Sequence, residues 1–220
     1  MTRVVFLSDT HGNGINNLNI PKGDVLIHCG DATYNGTAQE IHNFNESLKD
    51  LNFKKIIFIP GNHDFIFEND RTLSQKIMTN ADVLIDKSII YNGIKIYGSP
   101  WQPRFCNWAF NLPRGNKILE KWDLIEKDAD IVVTHGPPLY ILDKTKSGEH
   151  VGCYDLAKII KENNPKIHAF GHIHESYGIE RHKETYYVNA SIVDCSYVIR
   201  NKPFVFDIDE QTKEVVLIQE

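Results

Sequence analysis

The sequence predicts an α/β fold in which a two-sheet β-sandwich is flanked by helices. Three observations lead there. Short apolar, β-branched runs with the character of buried strands recur along the chain. Helical patterns fall between the early ones, as βα units require. The later part of the chain is hairpin-rich β-sequence, so a second sheet is expected beside the first. No linker, repeat or low-complexity segment interrupts the 220 residues, and one domain spanning 1–220 is expected.

The buried strands are expected at residues 4–7, 25–27, 56–59, 131–133 and 167–170, and further strands at 88–91, 94–97, 185–188, 204–207 and 215–218. Asn92-Gly93 between two of them is a hairpin-turn signal, because a type I′ turn needs two residues that tolerate positive φ. Helices are expected at 37–51, 71–80, 116–127 and 154–163. Thr37 with Glu40 three residues on is a capping-box pattern, and Pro165 stands where the last helix should stop. Residues 98–115, rich in Gly, Pro and aromatics, read as an ordered loop over one edge of a site.

Composition narrows the class. Apolar residues at 41% and charged residues at 24% are those of a globular protein with a sizeable core. A net charge of −5 without a basic run argues against polymeric nucleic acid as partner, since phosphate contacts dominate that affinity. None of the four cysteines lies in a C-x-x-C pair, so neither a zinc knuckle nor a thioredoxin motif is suggested. A strand beginning near Arg3 leaves no room for a signal peptide, and no apolar stretch has the length of a membrane span. A cytoplasmic location is therefore expected, and three matches to the N-glycosylation pattern are read as accidental.

The chemistry is carried by five motifs, each at the end of an apolar run: Asp9-Thr10-His11, Gly30-Asp31, Gly61-Asn62-His63-Asp64, Thr134-His135-Gly136 and Gly171-His172-Ile173-His174. In open α/β sheets ligands bind outside the carboxyl ends of strands. One Asp or His there would reflect turn chemistry. Five strand ends with compatible donors point to a pair of metal ions, and so to hydrolysis of a phosphate ester. Carboxylates, a carboxamide and imidazoles suit Mn, Fe, Zn or Mg rather than Ca. No nucleophile elbow, Walker A lysine or H-E-x-x-H helix is present. Gly12-Asn13-Gly14 is an incomplete dinucleotide-binding loop, with Asn17 where the third glycine belongs.

These motifs closely resemble the calcineurin-like metallophosphoesterase superfamily. Gly98-Ser99-Pro100-Trp101-Gln102-Pro103, Phe110-Asn111-Leu112-Pro113-Arg114-Gly115, Thr134-His135-Gly136-Pro137-Pro138 and Gly171-His172-Ile173-His174-Glu175 look like a narrower group, the small metallophosphoesterase-domain-containing (MPPED-type) phosphodiesterases. The resemblance implies a four-layer αββα fold. It implies that Asp9, His11 and His174 bind one divalent ion, Asn62, His135 and His172 the other, and that Asp31 bridges them. It places His63 beside the metals as proton donor to the leaving group, with Asp64 orienting its ring. Two Mn²⁺ ions are the expected cofactors, with Fe, Zn or Mg as alternatives. The expected substrate is a small phosphodiester, with a cyclic nucleotide as the leading candidate. A phosphomonoesterase, a nuclease and a non-catalytic scaffold are the rival readings.

Other residues carry two readings each. Trp101, Phe105, Trp108 and Phe110 are suited to stacking on a nucleobase or to anchoring the 98–115 loop. Arg114, inside the matched Asn-Leu-Pro-Arg-Gly, is either a phosphate-facing guanidinium or a loop tether. The resemblance raises the substrate-facing option for the loop as a whole without saying which ring faces the ligand; Trp101 and Arg114 are the candidate substrate contacts. His28 and His168 lie inside expected strands and read as satisfied sheet residues, with support of the ligands as the alternative. Asn189 and Ser191 either border the cleft or cap a turn.

Overall fold

The computed structural model describes residues 1–219. Its strands are β1 (Thr2–Leu7), β2 (Val25–His28), β3 (Lys55–Phe58), β4 (Asp82–Val83), β5 (Lys87–Tyr91), β6 (Ile94–Ser99), β7 (Gln102–Pro103), β8 (Asn111–Leu112), β9 (Ile131–Thr134), β10 (Ile167–Phe170), β11 (Gly178–His182), β12 (Thr185–Asn189), β13 (Phe204–Ile208) and β14 (Val215–Gln219). The helices are α1 (Ala38–Leu48), α2 (Ile66–Asn69), α3 (Arg71–Ile77), α4 (Asn116–Trp122) and α5 (Tyr154–Asn163).

Two six-stranded sheets hold the chain, in the orders β14-β13-β1-β2-β3-β4 and β11-β12-β10-β9-β6-β5. In the first, β1 to β4 run parallel; in the second, β6, β9, β10 and β12 do. Antiparallel strands close three of the four edges, and parallel β4 forms the other. Side chains alternate across each strand, and both faces are buried. Val4, Phe6, Ile27, Ile57, Ile131, Ala169 and Phe206 fill the layer between the sheets. Their neighbours Val5, Leu26, Phe58, Val132 and Phe170 face outward into a layer with helical Ile41, Phe44, Trp122, Leu156 and Ile160. This is the four-layer αββα arrangement expected from sequence.

Local signals act as physics requires. Thr37 and Glu40 form the capping box, and Glu40 also receives the N–H groups of Tyr34 and Asn35. Asn92 and Gly93 both have positive φ, at 48° and 77°, in the β5–β6 hairpin. Asn164 ends α5 in the left-handed conformation just before Pro165. Some bounds differ from expectation. The third expected helix, 116–127, stops at Trp122, whose indole donates to Cys153 Sγ at 3.3 Å and ties the helix end to the start of α5. The first stops at Leu48 rather than 51. β11 has no counterpart among the expected strands: its Glu180, Arg181 and His182 suit an edge strand and mask its apolar signal.

The carboxyl ends of β1, β2 and β3 in one sheet meet those of β9, β10 and β12 in the other. A parallel bridge between Ser8 and Ser191 marks the junction. All five motifs converge there.

Candidate metal centre

Four of the expected ligands sit on strained backbone. Asp9, His11, Asp31 and His172 have φ of 58°, 41°, 55° and 72°. Non-glycine residues adopt this region at a cost that the surroundings must hold in place. Here neighbouring strand ends hold it: Asp9 N–H donates to Gly30 C=O at 2.9 Å and His11 N–H to Asp31 C=O at 3.0 Å. Each chain reversal aims its side chain back over the sheet ends.

The side chains meet in three overlapping groups: Asp9, His11 and His174; His11, Asp31 and His63; and Asp31, His135 and His172. Within each group the ligating atoms lie within 4.8 Å of one another. Asn62 joins the last, its Oδ1 lying 3.0 Å from His135 Nε2. The first brings together the three side chains expected at one ion; the third brings His135 and His172 to Asp31, which is also a member of the second. His63 is brought in beside His11 and Asp31.

Ring tautomers test whether the donors suit cations. The Nδ1–H groups of His135, His174 and His63 donate to the carbonyls of Cys29 (2.9 Å), Asp194 (3.2 Å) and Tyr34 (2.7 Å). A carbonyl only accepts, so each Nε2 is left with its lone pair turned inward. His135 Nε2 then faces Asp31 Oδ2 at 3.1 Å, and His174 Nε2 faces Asp9 Oδ1 at 3.4 Å and His11 Nε2 at 3.3 Å. Acceptors facing acceptors call for positive charge between them, a metal ion or a proton. Burial alone would push His135 down, but Asp31, with Asp9 and the Cys29 carbonyl, lifts it to about 9. Burial would likewise raise Asp9, yet His174, His135 and His11 hold its carboxyl well below the usual range. Protons and cations compete for these positions.

Supporting residues come from far along the chain. Ser191 Oγ donates to Asp9 Oδ2 at 2.5 Å, and the His172 N–H donates to the same oxygen at 3.0 Å. Asn189 donates to the Ile173 carbonyl at 2.8 Å, fastening the loop that carries His172 and His174. Both residues of the Asn189/Ser191 pair therefore serve the site. Gly171 lies so close to Asp9 and Ser8 that a Cβ would collide with both side chains. Gly171→Ala should cost about 1–3 kcal/mol and weaken metal retention, read by thermal melting with elemental analysis; an unshifted melting temperature with full metal content would show that Asp9 yields freely.

Three expectations need correction. Asp64 does not touch the His63 ring. Its carboxylate receives Gly61 N–H (2.8 Å), Thr33 N–H (3.1 Å) and Thr33 Oγ1 (2.8 Å), binding the β2 and β3 loops together, while the Tyr34 carbonyl orients His63. Burial, with Asp31 nearby, raises Asp64 to about 6. Trp101 is buried, donates its indole N–H to Asp86 at 2.9 Å and packs edge-on against Phe110, so it anchors the loop rather than facing a ligand. Arg114 spends both terminal nitrogens on the carbonyls of Gly152 and Val151, at 2.8 and 2.7 Å.

The 98–115 loop does reach the site, through other rings. Trp108 lies over His63 with centroids 4.1 Å apart, and Phe105 packs against His172 at 5.1 Å. On the far side, Tyr34 and Tyr197 crowd His11 at 5.4 and 4.7 Å. The two tyrosines carry no ligand spacing or periodicity that would have revealed them; only the proximity of Tyr34 to Asp31 was a signal.

Comparison with known proteins agrees with this geometry. Residues 2–176 match the calcineurin-like phosphoesterase family. The chain belongs to that family. It is 40% identical to human metallophosphoesterase domain-containing protein 1 over 232 residues, which cover 94% of this chain and 71% of the relative; the mouse protein matches equally. UPF0046 protein T07D4.2 of Caenorhabditis elegans is 36% identical over 94% of this chain and 60% of its own length. The crystal structure of TT1561 from Thermus thermophilus shares the fold, at a TM-score of 0.65 and 13% identity over 98% of this chain and 97% of that one. Family membership and the clustered His and Asp groups together indicate a phosphoesterase with a site for two divalent ions. Among the described residues no helix is long and apolar enough to cross a membrane.

Proposed function

We propose that this calcineurin-like phosphoesterase is a phosphodiesterase acting on small diesters, with cyclic nucleotides as the substrate class that the sequence resemblance to the MPPED-type group implies. The observation that carries the reading is the sharing of Asp31 between two groups of ligating atoms. Asp9, His11 and His174 would hold one ion and Asn62, His135 and His172 the other, with Asp31 available to both. Mn²⁺ suits this mixture of hard oxygens and imidazoles, as Fe, Zn or Mg would. When bound, such a pair acidifies water and neutralises charge on phosphoryl oxygens.

The chain's own residues do the rest. Ser191 and the His172 N–H hold Asp9 in its rotamer. Cys29, Asp194 and Tyr34 carbonyls fix which nitrogen each ring offers. His63, with its Nδ1–H bound to the Tyr34 carbonyl and one face covered by Trp108, turns Nε2 toward the centre, where the ring in its doubly protonated form would give the Nε2 proton to the departing alkoxide. The net charge of −5 favours a small diester over a nucleic-acid polymer.

Two measurements test this. Protein stripped of metal and reloaded separately with Mn, Mg, Fe or Zn should cleave bis(p-nitrophenyl) phosphate about tenfold or more faster than p-nitrophenyl phosphate; the reverse order would make it a monoesterase. His63→Ala should keep two ions per chain and lose about 10²–10⁴ in turnover on esters with poor leaving groups. Activated aryl esters should lose far less, because p-nitrophenolate departs without a proton. Equal losses on both would remove His63 from leaving-group protonation.

A further inference from the structure

The chain has three tryptophans, and two of them are anchors. Trp101 and Trp122 are buried, with their indole N–H groups bound to Asp86 and Cys153. Trp108 differs. It is half-buried, and among the described residues its N–H has no partner. Its ring lies over His63, with centroids 4.1 Å apart and planes 37° from each other, and it also meets Phe65 at 5.8 Å. The next residue, Ala109, donates its N–H to the Asn62 carbonyl at 3.1 Å. Two adjacent residues of the 98–115 loop thus clasp the turn that carries Asn62 and His63.

The clasp is held from behind. Phe110 N–H donates to Glu68 Oε2 at 2.8 Å, and Gln102 N–H donates to the Phe110 carbonyl at 3.0 Å. The His63 ring, by contrast, has one hydrogen bond among the described residues, from Nδ1–H to the carbonyl of Tyr34, a residue that is 41% exposed in the loop after β2. A single bond at Nδ1 leaves an imidazole able to tilt about it. His11 meets the ring edge-on at 4.8 Å, and the indole of Trp108 lies over its face. Aromatic contacts of these kinds are attractive and set the angle between the rings. Among the described residues Trp108 packs on none of the metal-ligand rings, so its reach into the site ends at His63.

We propose that Trp108 is a positioning residue for proton transfer: its indole face keeps the His63 ring in the orientation from which Nε2 reaches the leaving oxygen. The proposal rests on the reading of His63 as proton donor. In that step the P–O bond to the departing arm breaks, its electron pair goes to the oxygen, and the Nε2 proton moves onto that oxygen. Transfer needs the two heavy atoms within about 2.6–3.2 Å. A misplacement of about 1 Å costs about 10²-fold in rate. A tilt of the imidazole is therefore enough to disconnect the donor while both ions stay in place.

The test varies the leaving group alone. Methyl phenyl phosphate and methyl p-nitrophenyl phosphate share the retained arm, and phenolate needs a proton more than p-nitrophenolate does. With Mn²⁺-loaded protein, Trp108→Ala should lower kcat on the phenyl ester by about tenfold or more and on the p-nitrophenyl ester by about twofold or less, with two ions per chain by elemental analysis. Trp108→Phe, which keeps a ring face, should recover most of the loss. In a His63→Ala background Trp108→Ala should add less than about twofold on either ester, because residues that act as a unit are not additive. Should the alanine variant not hold two ions, Trp108→Leu, which keeps bulk without a ring face, takes its place with the same expectations. If only monoesters are turned over, phenyl phosphate and p-nitrophenyl phosphate serve the same comparison. An equal loss on both esters in the Trp108 variant, or a full further loss in the His63→Ala background, overturns the assignment of Trp108 while the donor reading stands. An equal loss on both esters in His63→Ala is a different failure: it removes His63 as the donor, and the role of Trp108 falls with it.

Discussion

Replacing Asp31 with alanine should empty both metal positions at once and abolish turnover. Asp31 lies at the end of β2 with a φ of 55°, and among the described residues its carboxylate is the only one in both the His11–His63 and the His135–His172 groups. Oδ2 lies 3.1 Å from His135 Nε2 and 3.9 Å from His11 Nε2, while Oδ1 receives the His63 N–H at 2.8 Å. One residue thus supplies negative charge to two cation positions and fixes the backbone of the proton donor. Losing several kcal/mol of transition-state charge stabilisation corresponds to a fall in rate of about a thousandfold or more. Asp9 gives the contrast. It belongs to the His11–His174 group alone, so Asp9→Ala should retain about one ion per chain. Elemental analysis after dialysis, with circular dichroism to confirm folding, reads both. Two ions retained by Asp31→Ala would end the bridging assignment, whatever happened to activity.

The contrast between these two aspartates was partly legible in the sequence. Asp9, Asp31, Asn62, His135, His172 and His174 announce themselves because each follows closely on a short apolar run, and strand ends are where α/β sheets place ligands. The capping box at Thr37 and the Asn92-Gly93 turn were legible for a similar reason: their physics is complete within four residues. The failures share a different cause. Ser191 reaches Asp9 across 182 positions, and no local pattern encodes that hydrogen bond. Asp64 adjoins His63 in sequence, which suggested a carboxylate–imidazole pair. The turn that follows β3 instead directs the two side chains apart, and a carbonyl from the β2 loop takes the ring. Trp101 and Trp108 are chemically equivalent in a sequence and seven residues apart. Only packing sends one to Asp86 and the other over His63.

His28 and His168 show what a strand histidine can do without binding anything. Each is buried, outward-facing on its sheet, and each uses Nε2 at 3.0 Å on a threonine hydroxyl: Thr10, between Asp9 and His11, and Thr134, just before His135. The device repeats in the two sheets and steadies a metal-binding turn in each. His28 Nδ1 already accepts the Gly30 N–H at 3.2 Å, and His168 Nδ1 is buried with no partner. Neither ring has a place for a second proton. Burial accordingly lowers both to about 3, against about 6.5 in an unfolded chain.

The sign of the consequence follows. Below about pH 6.5 the unfolded chain binds a proton at each position that the folded chain refuses, so stability is complete above that pH and falls as pH drops toward 3. At pH 5 the loss is about 2 kcal/mol per histidine, about 4 kcal/mol for the pair. Burial lowers His172 in the same direction, so the useful quantity is a difference. Chemical denaturation of metal-free protein at pH 7 and pH 5 should show a fall that is smaller by about 2 kcal/mol in His168→Gln than in the unmodified protein. Glutamine keeps a donor for Thr134 and has no proton to gain. The same slope in both proteins would mean that His168 accepts its proton in the fold, and that the turn before His135 tolerates a charge beneath it.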